Sequence, residues 1–192
     1  MGNAQARRRI KATDFHYLAK FTAFASNELV EEYYNNLMDK YSDGKMDSAD
    51  FIATFKLAFP ERPAEKVELL ASRMQNKDGK ISMANMMILF YLFCSGKTED
   101  NLTHIFNLFD MDGNKVITID ELLNLMSVFI EIGEGKNHKV DLATVMAEMY
   151  QKGDADKNEK LELKEFIRGM MDHPVTSKIM SIKNIDALLE LM

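Results

Sequence analysis

The stretch Asp110–Glu121, D-M-D-G-N-K-V-I-T-I-D-E, places oxygen-bearing side chains at loop positions one, three, five, nine and twelve: Asp110, Asp112, Asn114, Thr118 and Glu121. This spacing constrains the fold more than any other feature of the chain. A hard dication such as Ca²⁺ takes six to eight oxygens at about 2.3–2.6 Å, and a tightly turning twelve-residue backbone can bring them to one point. Asp110, Asp112 and Asn114 each offer one side-chain oxygen. Val116, at position seven, offers its carbonyl, Thr118 donates directly or through a water, and Glu121 closes the site with both carboxylate oxygens. Apolar Ile117, at position eight, suits a short strand paired with a sister loop. The same spacing recurs at Asp154–Glu165, D-A-D-K-N-E-K-L-E-L-K-E, so chance does not explain either match.

Two weaker windows precede these. Residues 39–50, D-K-Y-S-D-G-K-M-D-S-A-D, keep Asp39, Asp43, Gly44 and Asp47, but Tyr41 stands at position three and the shorter Asp50 at position twelve. The expectation there is weak Mg²⁺ binding at most. Residues 74–85, M-Q-N-K-D-G-K-I-S-M-A-N, keep Gly79 and Ile81 but have Met74 and Asn85 at the ends, so no ion is expected.

The four windows begin at 39, 74, 110 and 154, intervals of 35, 36 and 44 residues. Each is flanked by helical apolar spacing. The repeat therefore predicts an all-α fold of four helix–loop–helix units in two paired lobes, residues 13–95 and 96–174. Short antiparallel strands should join the loops at Met46/Ile81 and Ile117/Leu161. A basic segment, 1–12, precedes the lobes and an amphipathic helix, 175–192, comes after them.

Within this frame, residues 13–24 read as a short helix with Phe15, Leu18 and Phe21 on one face. Ser26 is placed to cap a helix through Met38, with Leu29, Tyr33 and Leu37 apolar. Phe51, Phe55 and Phe59 come next at helical spacing until Pro60 and Pro63 end that helix. The stretch Met86–Phe93 is apolar nearly all round, so it is either deeply buried or lines an apolar groove. Ser95-Gly96-Lys97 reads as the hinge, with Thr98 capping the next helix. Asp141 is a cap, and Pro174 a stop. In the tail, Ile179, Ile182, Ile185, Leu188, Leu189 and Met192 share a face. They either pack on the distal lobe or occupy the groove a partner would take.

The net charge of −6 argues against neutralising nucleic-acid phosphates. One cysteine, Cys94, rules out a disulfide framework and fits a reducing compartment. No 18-residue apolar run or secretory segment is present. An enzyme is not expected: His16, His104, His138 and His173 fall in separate segments without a catalytic motif, and neither an activated thiol nor zinc-ligand spacing is present. Fifteen methionines and no tryptophan fit an adaptable apolar groove, or ordinary core filling. Gly2 is an acceptor for myristate, although Ala6 replaces the usual Ser or Thr, and Arg7, Arg8, Arg9 and Lys11 supply a second membrane signal.

Gly2, F-K-L-A-F-P at 55–60, C-S-G-K-T-E-D-N-L at 94–102 and the two intact distal loops together resemble the recoverin and neuronal calcium sensor branch of the EF-hand superfamily. The resemblance implies a cytoplasmic Ca²⁺ sensor, peripherally attached to membrane, that exposes an apolar groove to an amphipathic helix of a target protein. It implies two ions. The first would be held by Asp110, Asp112, Asn114, Val116, Thr118 and Glu121. The second would be held by Asp154, Asp156, Asn158, the Lys160 carbonyl, Glu162 and Glu165. The family's Cys-Pro pair in the first loop is Tyr41-Ser42 here. Lys115 and Glu159 replace the usual position-six glycine, where a left-handed backbone costs other residues about 1–2 kcal/mol. Dissociation constants on the order of 10⁻⁶–10⁻⁵ M are expected. Two other roles compete: a standing enzyme subunit in the manner of calcineurin B, and a passive Ca²⁺ buffer.

Overall fold

Ser26 opens the helix Asn27–Lys40, its hydroxyl accepting from the Leu29 amide at 3.2 Å. The computed structural model describes residues 16, 18–20, 22–23, 26–110, 112–134, 141–158, 160–182 and 185–191. Gly2, Arg7, Arg8, Arg9 and Lys11, half of the helix expected over 13–24 including Phe15 and Phe21, and Glu159 lie outside them. The proximal half runs α1 (Asn27–Lys40), β1 (Lys45–Asp47), α2 (Ser48–Ala58), α3 (Ala64–Met74), β2 (Lys80–Ser82) and α4 (Met83–Phe93). The distal half runs α5 (Thr98–Phe109), β3 (Val116–Ile117), α6 (Ile119–Glu134), α7 (Leu142–Gly153), β4 (Leu161–Glu162) and α8 (Leu163–Asp172), and α9 (Pro174–Met180) and α10 (Ile185–Leu191) complete it. Among the described residues the architecture is all-α apart from two antiparallel strand pairs, β1 with β2 and β3 with β4. Their registers place Met46 opposite Ile81 and Ile117 opposite Leu161.

The expected helix punctuation holds with small shifts. Asp141 caps α7, accepting from the Ala143 amide at 3.3 Å. Lys97 takes the cap position of α5, so Thr98 is the first helical residue and not the cap. Leu29, expected on the apolar face of α1, is exposed.

Helical spacing stacks the proximal aromatics into one cluster. Phe55 lies 5.0 Å from Phe59 between centroids, and Phe93 and Phe90 meet them edge-on at 5.7 and 5.5 Å. Edge-to-face pairs of this kind add about 0.5–1.5 kcal/mol beyond area burial. α4 answers the question its composition raised: from Met86 to Phe93 every side chain is buried, so it lies inside the core and not along an open groove. Tyr91 on α4 stacks on His104 of α5 at 5.4 Å, which ties the halves together across the hinge.

In the distal half, α7 and α8 approach closely where glycines face each other. A Cβ on Gly169 would stand 3.3 Å from the Met149 carbonyl oxygen, and one on Gly153 would stand 3.0 Å from that of Glu165. His173 is buried between α8 and α9. Its Nε2 lies 3.3 Å from Glu148 Oε2, while Nδ1 is buried without a hydrogen-bond partner among the described residues.

The tail helix expected over 175–192 is in two pieces. The Ser181 and Ile182 amides close the end of α9 on the Ser177, Lys178 and Ile179 carbonyls, and α10 begins at Ile185. α9 packs on α6 and α8, whereas α10 packs on both α6 and α3 and so touches both halves. Ile182, Ile185 and Leu188 are buried there. Lys66 pairs with Asp186, and the Arg73 guanidinium donates to the Leu189 carbonyl.

Candidate metal centres

The two intact loops fold by the same local bonds. Asn114 and Asn158, at position five, donate through their backbone amides to Asp112 Oδ1 and Asp156 Oδ1 at 3.0 and 3.2 Å. Each asparagine Nδ2 then donates to the other carboxylate oxygen at 2.8 Å. Each asparagine Oδ1 accepts from the position-seven amide, Val116 or Lys160, at 2.9 Å. Short polar side chains thus bond their own turning backbone, which is why such loops form from local sequence.

These bonds carry the end residues toward the loop starts. Asp110, Asp112 and Glu121 offer carboxylate oxygens that all lie within 4.8 Å of one another, and so do Asp154, Asp156 and Glu165. Each cluster could hold a cation. Asp110 is 1% exposed and Glu121 7%, while the second cluster is open to solvent. Asp110 Oδ1 is buried without a hydrogen-bond partner among the described residues. A buried charged oxygen left unpaired is costly, and a bound dication relieves that cost, so the donor set fits a hard metal.

In both clusters the position-twelve glutamate accepts from the position-nine amide. Glu121 Oε2 accepts from the Thr118 amide at 3.0 Å and from the Thr118 hydroxyl at 2.9 Å. Glu165 Oε1 accepts from the Ala155 amide at 2.9 Å and Oε2 from the Glu162 amide at 3.1 Å. Glu162 caps α8 in a capping box with Glu165, a role its loop position alone did not suggest. Lys115 takes φ +68°, the left-handed conformation expected at position six. Lys157, at position four of the second loop, takes φ +58°, matching Gly113 at the same position of the first.

Loop 39–50 is arranged on another principle. The Tyr41 hydroxyl oxygen lies 2.7 Å from Asp47 Oδ2 and 2.8 Å from Asp50 Oδ2. The Lys40 ammonium pairs with Asp50 at 2.6 Å, and Lys80, from the facing strand, pairs with Asp47. The Lys80 hydrogen bond holds Asp47 below the ordinary carboxylate value, Tyr41 adding to it; Lys40 and then Tyr41 do the same for Asp50. Asp47 and Asp50, two of the carboxylates in the loop expected to hold Mg²⁺ weakly, are therefore already engaged. Loop 74–85 keeps its turn through a neutral side chain, Asn76 Oδ1 accepting from the Asp78 and Lys80 amides at 2.9 and 3.0 Å.

Lys40 and Lys80 were missed as functional residues. The signal existed for Lys80, since pairing Met46 with Ile81 places it opposite Asp47.

A family profile described as an EF-hand domain pair matches residues 99–171. Recoverin of Homo sapiens is 28% identical over 161 residues, 78% of this chain and 78% of its own. Guanylyl cyclase-activating protein 1 of Gallus gallus is 27% identical over 152 residues, covering 78% and 76%. The type 1 calcineurin B subunit of Dictyostelium discoideum is 26% identical over 149 residues, covering 76% and 79%. Residues 99–171 are thus similar to an EF-hand domain pair, and over most of its length the chain resembles recoverin-like calcium sensors.

Proposed function

We propose that this protein is a cytoplasmic Ca²⁺ sensor that takes one ion in each distal loop and regulates a membrane-associated target. The observation that carries this reading is the pair of carboxylate triads, Asp110/Asp112/Glu121 and Asp154/Asp156/Glu165, each gathered within 4.8 Å from opposite ends of its loop. Asn114, Val116 and Thr118 complete the first ligand set; Asn158, the Lys160 carbonyl and Glu162 complete the second.

Two unit charges 4 Å apart repel by about 1 kcal/mol in water and about 4 kcal/mol at the effective dielectric near a protein surface. A bound dication supplies the charge that cancels this repulsion. Glu121 and Glu165 lie in the first turns of α6 and α8. Their movement toward the loop re-angles those helices, and α6 is the helix on which α9, α10 and α4 pack. Apolar surface rich in Met and Phe would then open to an amphipathic helix of the target. The buried face of α10 is suited to cover that surface until a partner arrives. Myristate on Gly2, with Arg7, Arg8, Arg9 and Lys11, would supply the membrane contact.

The test is a calorimetric Ca²⁺ titration of the full chain. Two ions per chain are expected, and none, one or three would each contradict the assignment. The likeness to a calcineurin B protein favours a second reading, a standing subunit of an enzyme. A partner that stays bound through purification in a chelator would establish it.

A further inference from the structure

Loop 39–50 has the shape of an ion-holding loop, with Gly44 at φ +73° and its strand paired to the next loop. Tyr41 is buried at position three, and its hydroxyl sits between the carboxylates of positions nine and twelve. A single phenolic proton serves the two in turn. Lys40 and Lys80 add one ammonium group to each carboxylate and flank the ring, at 5.0 and 5.8 Å from its centroid. Two negative charges thus meet two positive ones, and the Tyr41 hydroxyl fills the space between them. Lys80 belongs to β2, so the arrangement also fastens one loop of the pair to the other.

We infer that Tyr41, Lys40 and Lys80 form a cation carried by the chain itself, which holds loop 39–50 closed at every divalent-ion concentration. Its consequence is a division of labour: the proximal half keeps one conformation while the distal loops respond to Ca²⁺. The inference does not depend on the sensor reading, because the proximal loop can be observed separately.

The experiment is amide hydrogen exchange on the full chain, without divalent ions, with Mg²⁺ and with Ca²⁺. In the wild-type protein the amides of Lys45, Met46 and Asp47 should exchange at the same rate in all three. Tyr41→Phe removes the hydroxyl and keeps the ring. It should speed exchange at those amides about tenfold, the worth of roughly one hydrogen bond to a charged group. Lys80→Gln should do the same, with the amides of α7 and α8 unchanged as the control for folding. Slower wild-type exchange at 45–47 on adding Mg²⁺ or Ca²⁺ would overturn the inference, and so would unchanged exchange in both variants. Failure of the sensor reading shows itself elsewhere, as distal amides that ignore Ca²⁺.

Discussion

Asp110 and Glu121 stand at opposite ends of one loop, yet a carboxylate oxygen of each lies within 4.8 Å of the other and of Asp112. Neutralising one end should therefore unbalance the whole site. Glu121→Gln combined with Glu165→Gln is expected to abolish the Ca²⁺-dependent rise in fluorescence of a hydrophobic dye. A rise that persists in the double variant would remove the glutamate lever from the mechanism. No Ca²⁺-dependent rise in the wild-type protein would favour a passive buffer.

Lys115 pays for its left-handed backbone, at φ +68°. Lys115→Gly should raise the stability of the Ca²⁺-saturated protein by about 1 kcal/mol, which a melting curve at fixed Ca²⁺ reads. An unchanged or lower midpoint would show that contacts of the lysine side chain offset the strain.

His173 titrates below the ordinary imidazole value of 6.5, chiefly because burial disfavours its charged form, with Lys152 acting in the same direction and Glu148 opposing. Between the folded and unfolded values the unfolded chain binds more protons. The contribution of this group is therefore fully present above about pH 6.5 and is lost as pH falls through that value toward the folded one. The melting midpoint should drop between pH 7 and pH 5.5, and His173→Gln should flatten the slope. Equal slopes in the two proteins would assign the loss to other groups.

The tail contributes buried surface whatever its regulatory role. Leu188 is fully buried, so Leu188→Ala should destabilise by about 2–5 kcal/mol in chemical unfolding. Asp186→Ala should cost under about 1 kcal/mol, since its pair with Lys66 is exposed. If α10 covers a target surface, deleting residues 185–192 should raise affinity for an amphipathic target helix. Lower stability at constant affinity would make α10 a packing element alone.

The strand register of both halves was legible because position eight of each loop is apolar, which fixed Met46 against Ile81 and Ile117 against Leu161. The clustering of Asp110, Asp112 and Glu121 was legible for a similar reason: local Asp and Asn bonds determine the turn. The placing of Lys80 opposite Asp47 was implicit in that same register, but the bond itself, between residues 33 apart, was not legible. Nor was the break near Ser181, where apolar spacing continues unbroken but the amides turn back on nearby carbonyls. The all-round apolar sequence of α4 could not choose between interior and groove, a decision that belongs to its neighbours.

The ladder joining Val116–Ile117 to Leu161–Glu162 ties the backbone at Val116, in one proposed ligand set, to that at Glu162 in the other. Ordering either loop thereby prepares its twin, and the second binding event starts from a partly arranged host. Occupancy of the pair should climb more steeply than independent sites allow, with a Hill coefficient above one, and cutting the coupling at Ile117 should return the curve to a simple hyperbola.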